Sequence, residues 1–254
     1  MKILQLIASF THYLLPLSGL IILLAFIGGP GAKLGLWSAL QGFTMTIRWG
    51  MLYGGGALIV LSLVSFVAIY LSKDYSFKPA IMALVAGVIL FTPVLMLKNK
   101  ANSPDIPMIH DITTDITNPP QFETVVSKRE ADANSLNYEG EAVSSLQLKA
   151  YPTIKPLTLP VSQADAMKKA EAVIEHFGWK LDSIDEIRGR IEATDYTPWF
   201  NFADDVVVVI SAQGDQSVIN VRSVSRYGMS DLGLNAKRID AFLQLMQGEI
   251  PSED

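Results

Sequence analysis

Uncharged apolar runs dominate the first hundred residues. Ile3 to Ile27, Met51 to Leu71 and Pro79 to Leu97 contain no Asp, Glu, Lys or Arg. Each approaches the ~20 apolar residues that a bilayer core requires. The pattern predicts three spanning helices within residues 1–100. Pro16 and Pro93 fall inside them, where neighbouring helices can satisfy the carbonyls a proline frees. The first run is long, its basic start is Lys2 alone, and GGPGA is a poor cleavage site, so an anchor is expected rather than a removed signal peptide. Between the first two spans, LGLWSALQGFTMTIRW puts Leu36, Leu40, Phe43 and Ile47 on one helical face, with Trp37, Arg48 and Trp49 as interfacial anchors. That face predicts a separate helix lying along the membrane surface.

Periodicity changes beyond residue 100. Residues 101–160 are rich in proline and short polar side chains, with NPP at Asn118 to Pro120 and further prolines at 152, 156 and 160. They predict an extended, wrapping arm rather than a helix. Within 161–254, Ser162 and Asp165 frame a helix start, followed by Met167, Ala170, Val173, Ile174 and Phe177 at helical spacing before Gly178. EIRGRIEAT, Glu186 to Thr194, alternates charged and small or apolar residues and predicts a half-buried strand with Glu186, Arg188, Arg190 and Glu192 on its outer face. DVVVVIS and QSVINVRSVSR, joined through GDQ, predict a hairpin. A last helix is expected to begin near Asn235, whose side chain would cap it, and to bury Ile239, Phe242, Leu243 and Met246. The fold class is α+β: three N-terminal transmembrane helices followed by a small antiparallel sheet and helix sandwich.

Charge sharpens this division. Residues 1–100 carry +6 and residues 101–254 carry −11. An acidic soluble half has no attraction for phosphate backbones, so nucleic acid is not an expected partner, whereas a lipid bilayer is. Cysteine is absent, which excludes disulfides, thiolate catalysis and cysteine-ligated metals. His12, His110 and His176 are scattered without ligand spacing, so neither a metal nor a cofactor is expected. His12 lies near a helix end and reads as an interfacial or packing residue. With the N-terminus inside, Lys2, Lys73 and Lys78 oppose Lys33, Arg48, Lys98 and Lys100 across the membrane, so charge bias does not orient the spans.

The densest chemistry lies in VRSVSRYGMSDLGLNAKRI, Val221 to Ile239. Strand geometry puts Arg222, Val224 and Arg226 on one face and Val221, Ser223 and Ser225 on the other. Gly228 and Gly233 bracket a loop holding Asp231, and Arg238 follows Asn235 by about one helical turn.

Together with IHDITTD (Ile109 to Asp115), NPPQF (Asn118 to Phe122), IEAT (Ile191 to Thr194) and DDVVV (Asp204 to Val208), this stretch resembles domain-of-unknown-function family 1499. GPGAKLGLWSALQGFTMTIRWG resembles the membrane portion of the family's longer bacterial members. The family has no established activity. Its members include membrane-anchored and exported bacterial proteins and chloroplast relatives, which implies a periplasmic domain on a bacterial inner membrane. Two departures stand out: Val209 replaces an expected arginine, and Asn220 replaces a common aspartate.

The candidate site comprises His110, Asp111, Thr113, Asp115, Arg222, Ser223, Ser225, Arg226, Asp231, Asn235 and Arg238. In one reading, charge-assisted hydrogen bonds tie the HDITTD arm to the final loop. In another, the same groups form a pocket for an anionic ligand or a partner's carboxylate. No catalytic residue is assigned. The favoured function is a membrane-anchored envelope protein acting as a non-catalytic binding, scaffold or accessory subunit, with another membrane protein or complex as partner. The alternatives are a hydrolase using His110, Asp111 or Asp231, and Ser223 or Ser225, and a lipid- or quinone-handling protein.

Overall fold

The structure is a computed structural model that describes residues 2–73 and 75–248. Its contacts divide the chain into two units, the first comprising the N-terminal helices with residues 198–201 and the second the rest of the chain.

In the first unit, three helices are long and apolar enough to cross a membrane: α1 (Lys2–Lys33), α2 (Ala39–Ser72) and α3 (Lys78–Ala101). Outward-facing Leu20, Leu61, Val67 and Ile89 are exposed, as side chains bathed in lipid should be. Small residues line the inner contacts and let backbones approach. A Cβ on Gly50 would lie 2.7 Å from Ala25 Cα, and one on Gly87 would lie 2.8 Å from the Gly55 carbonyl oxygen. Thr11–Tyr13 forms a 3-10 turn within α1. Pro16, four residues after His12, cannot donate the α-helical bond to its carbonyl, which favours tightening there.

The expected surface helix and second span form one continuous helical run. Ser38 and Gln41 make a reciprocal capping box, so the helix starts at Ala39 and leaves Leu36 and Trp37 outside it. Thr44–Gly55 then winds as a π-helix directly into Gly56–Ser72. With no proline between Ser38 and Ser72, no residue blocks that continuation.

The second unit is an antiparallel sheet with helices on one side. Its strands are β1 (Asp111–Thr113), β2 (Leu157–Leu159), β3 (Lys180–Asp185), β4 (Arg190–Tyr196), β5 (Ala203–Gln213) and β6 (Gln216–Ser225). The order is β1-β6-β5-β4-β3, with β2 pairing β6 beside β1. Gly214, at φ 61°, and Asp215 make the two-residue turn of the β5–β6 hairpin. Helices α5 (Gln163–His176) and α6 (Leu234–Gln247) bury Val173, Ile174, Ile239 and Phe242 against Ile191, Val208, Ile210, Ile219 and Val221. The Ser162 side chain accepts the Asp165 N–H and caps α5.

Three local expectations need correction. The 101–160 region contains α4 (Glu141–Ala150), which buries Val143 and Gln147 one turn apart. Its prolines cluster before residue 121 and after residue 151, leaving room for a helix between them. The expected 186–194 strand begins at Arg190. Asp185 accepts the Arg188 N–H, Gly189 turns at φ 63°, and Ile187 is 95% exposed. Glu192 keeps the face opposite Ile191 and Ala193, but the arm covers that face and leaves it no exposure. Finally, Gly233 precedes α6, and Asp231 rather than Asn235 accepts its early N–H groups.

Candidate functional site

Strand β6 sends side chains to two opposite networks. On the face away from the helices, Arg222 has no solvent exposure. Its Nε and Nη2 donate to the two carboxylate oxygens of Asp111 at 3.0 and 2.7 Å. Its remaining donors reach the carbonyls of Pro120 at 3.1 Å and Leu136 at 2.7 Å. The rings of Phe122 and Tyr138 flank its guanidinium at 5.4 and 5.5 Å. One arginine therefore binds the first strand and two points of the irregular segment that follows.

Asp205 is the next anchor on this face. Arg226 forks onto its carboxylate, with bonds of 2.8 to 3.2 Å, and Arg129 meets it from the arm. Burial lowers the pKa of Arg129 despite Asp205. Burial also opposes Arg226, but hydrogen bonds and charge from Asp205 hold it above the ordinary arginine value. Glu192 receives the N–H groups of Glu123, Thr124 and Val125 at 2.7 to 2.9 Å. These three backbone donors satisfy a buried carboxylate at the start of the Val125–Lys128 3-10 turn.

On the helix-covered face, polar groups gather beyond the apolar core. Ser223 donates to Asn235 at 2.7 Å and accepts from Arg238 at 3.1 Å. Asn235 donates to Ser225 Oγ and the His110 carbonyl. Arg238 also bridges Asp195 and Asp204, whose charges outweigh the effect of burial and raise its pKa. Asp231 has a raised pKa because burial outweighs the N–H bonds from Gly233 and Asn235.

The sequence candidates therefore separate by face. Asp111, Arg222 and Arg226 lie on the arm-covered side, whereas Ser223, Ser225, Asn235 and Arg238 lie beneath or beside α6. Thr113 belongs to the β1 edge: its N–H and carbonyl pair with the buried Gln147 amide at 3.0 and 2.7 Å. Asp115 instead caps a turn through the N–H groups of Thr117 and Asn118. His110 lines an open cavity of about 270 Å³ with Asp111, Asn134, Ser135, Asn137, Glu139 and the apolar Met108, Ile109, Val143 and Met229.

This arrangement disfavours serine chemistry. Ser223 is inaccessible and hydrogen-bonded on both sides. Asp111 is engaged by Arg222, and Asp231 by the start of α6. The arginines proposed for an anion also have internal carboxylates. Sequence inspection missed Glu192, Asp195, Asp204, Asp205, Arg129 and Gln147 as members of these networks. IEAT and DDVVV contained a signal for three of them, Glu192, Asp204 and Asp205, but burial cannot be read from a charged letter alone.

The sequence model of a family described as a protein of unknown function (DUF1499) matches residues 111–246. The chain belongs to the DUF1499 family. Comparison with curated proteins finds no match. In this DUF1499 domain, IHDITTD supplies Asp111, NPPQF supplies Pro120 and Phe122, IEAT supplies Glu192, and DDVVV supplies Asp204 and Asp205. These positions are the contacts of the two networks. The two departures, Val209 and Asn220, oppose one another in the β5–β6 ladder.

Proposed function

We propose that this DUF1499 protein is a non-catalytic binding or accessory subunit anchored in a bacterial inner membrane, with residues 1–100 as its anchor and the remaining domain in the periplasm. The carrying observation is that Arg222, Arg226 and Arg238 are engaged by internal carboxylates, while Ser223 and Ser225 are bound within the fold. Such a buried, internally paired cluster supports a fixed scaffold better than a reacting centre. The three apolar helices favour membrane residence.

Purification in mild detergent followed by intact-complex mass spectrometry tests the reading. A stoichiometric membrane-protein partner would support it. A retained lipid or quinone without that partner would favour lipid handling, and the isolated protein turning over an ester would defeat the non-catalytic assignment. Protease added to intact spheroplasts tests orientation. Removal of the domain is expected, whereas full protection would place it on the other side.

A further inference from the structure

The turn between β4 and β5 is apolar, although turns are ordinarily built from small polar residues. Thr197 N–H donates to the Phe202 carbonyl at 2.8 Å, and Phe202 N–H donates to Thr197 Oγ1 at 2.9 Å. These bonds close a tip made of Pro198, Trp199, Phe200 and Asn201. It carries no charge, and Pro198 has no N–H to satisfy. Asn201 makes the return at φ 61°, a left-handed conformation that asparagine tolerates.

The tip belongs to the first unit. Trp199 meets Phe26 of α1 edge-on with ring centroids 5.9 Å apart, and Phe200 meets Phe43 of α2 edge-on at 5.3 Å. Gly29 makes room for the indole, since a Cβ there would run into it. Trp199 nevertheless stays 44% exposed, beside Phe26 at 57%. Exposed apolar side chains of a spanning helix face lipid, and the uncovered indole continues that surface. Helix geometry gives the depth. Phe26 precedes Lys33 by seven residues, about 10 Å of helix, and the Lys33 ammonium stays with the headgroups. Trp199 thus lies near the boundary of headgroups and acyl chains, where tryptophan is enriched.

We propose that the β4–β5 tip is a second membrane contact, with Trp199 inserted into the bilayer interface beside α1. Its partner is phospholipid. This rests on the reading of residues 1–100 as a membrane anchor, and is independent of what the domain binds and of which side it occupies.

The full chain is reconstituted in phosphatidylcholine vesicles, either plain or brominated near the carbonyl end of the acyl chains. Subtracting the emission of the Trp199→Phe chain from that of the parent isolates Trp199 from the other tryptophans. Its emission is expected to fall at least about twofold in brominated lipid. Because the chain has no cysteine, Pro198→Cys adds a single site for a nitroxide that leaves Trp199 in place. Oxygen is expected to reach this label better than a water-soluble nickel chelate does, with the reverse at exposed Asp215→Cys in the β5–β6 turn. Equal Trp199 emission in the two lipids, or a Pro198→Cys label with the nickel preference of the Asp215→Cys control, overturns the proposal. A label reached poorly by both probes means that protein covers the tip, and overturns the lipid assignment too. Flotation of the chain with the vesicles checks the anchor separately. A chain that floats without Trp199 quenching defeats the tip contact alone, whereas one that does not float defeats the anchor as well.

Discussion

The two faces of one β-sheet are covered by different physical means. On one face, α5 and α6 close over Val208, Val221, Ile239 and Phe242, where stabilisation is non-directional and follows apolar burial. On the other, a largely irregular arm contributes Phe122, Val125 and Leu136, but its course is set by directed contacts from Arg222, Glu192 and Asp205. A helix satisfies most of its own backbone groups. An irregular covering segment needs partners elsewhere, and buried sheet charges supply them. The contrast predicts different responses to substitution.

The largest expected effect is at Arg222. Arg222→Ala strands Asp111 and removes donors from the Pro120 and Leu136 carbonyls, for a loss of about 3–5 kcal/mol. The Arg222→Met, Asp111→Leu double variant is expected to recover part of that loss in urea unfolding of the full chain in detergent. Ile239→Ala on the helix-covered face is expected to lose about 2–5 kcal/mol, with no corresponding rescue by removing a charge. Similar rescue on both faces would break the distinction.

Gln147→Ala gives a smaller test at the β1 edge. Loss of both bonds to the Thr113 backbone is expected to cost about 1–3 kcal/mol, read from the same urea transition. A change within measurement error would remove Gln147 from the set of important arm contacts. Smaller still, Glu123→Gln is expected to cost under about 1 kcal/mol, because the Glu123 side chain, paired with Arg188 and Arg190, is 43% exposed. A loss comparable to Arg222→Ala would show that burial does not distinguish these charges.

Alkaline titration probes the arm from another direction. Burial, followed by the Asp111 charge, raises Tyr138 to about 12 despite the opposing effect of Arg222. The unfolded tyrosine ionises near about 10, so its contribution is present below that pH and is lost as pH rises toward about 12. Tyr138→Phe should therefore flatten the fall in stability over this interval. An unchanged pH slope would contradict the assigned environment.

Sequence periodicity makes the apolar half of this design legible. Three spans, the α5 stripe and the β5–β6 hairpin follow from hydrophobic spacing and turn residues. The charged half is less legible because Glu192 and exposed Arg188 look alike until the turn at Gly189 takes Arg188 out of the strand and the arm closes over Glu192. Likewise, Asn235 resembles a helix cap, yet Asp231 performs that role and releases Asn235 to join β1 and β6. Period-two spacing separated Arg222 and Arg226 from Ser223 and Ser225, but the partners that each face meets required the register.

Hydrogen exchange of the full chain carrying Glu192→Gln tests the difference between the faces most directly. The expected result is at least about tenfold faster exchange at the amides of Glu123, Thr124 and Val125, equivalent to about 1.4 kcal/mol of weakened local protection. Exchange at Ile239 and Phe242 in α6 should change less than twofold. Equal acceleration in both regions, or unchanged exchange at residues 123–125, would contradict the conclusion that buried charge holds the arm separately from the helix-covered core.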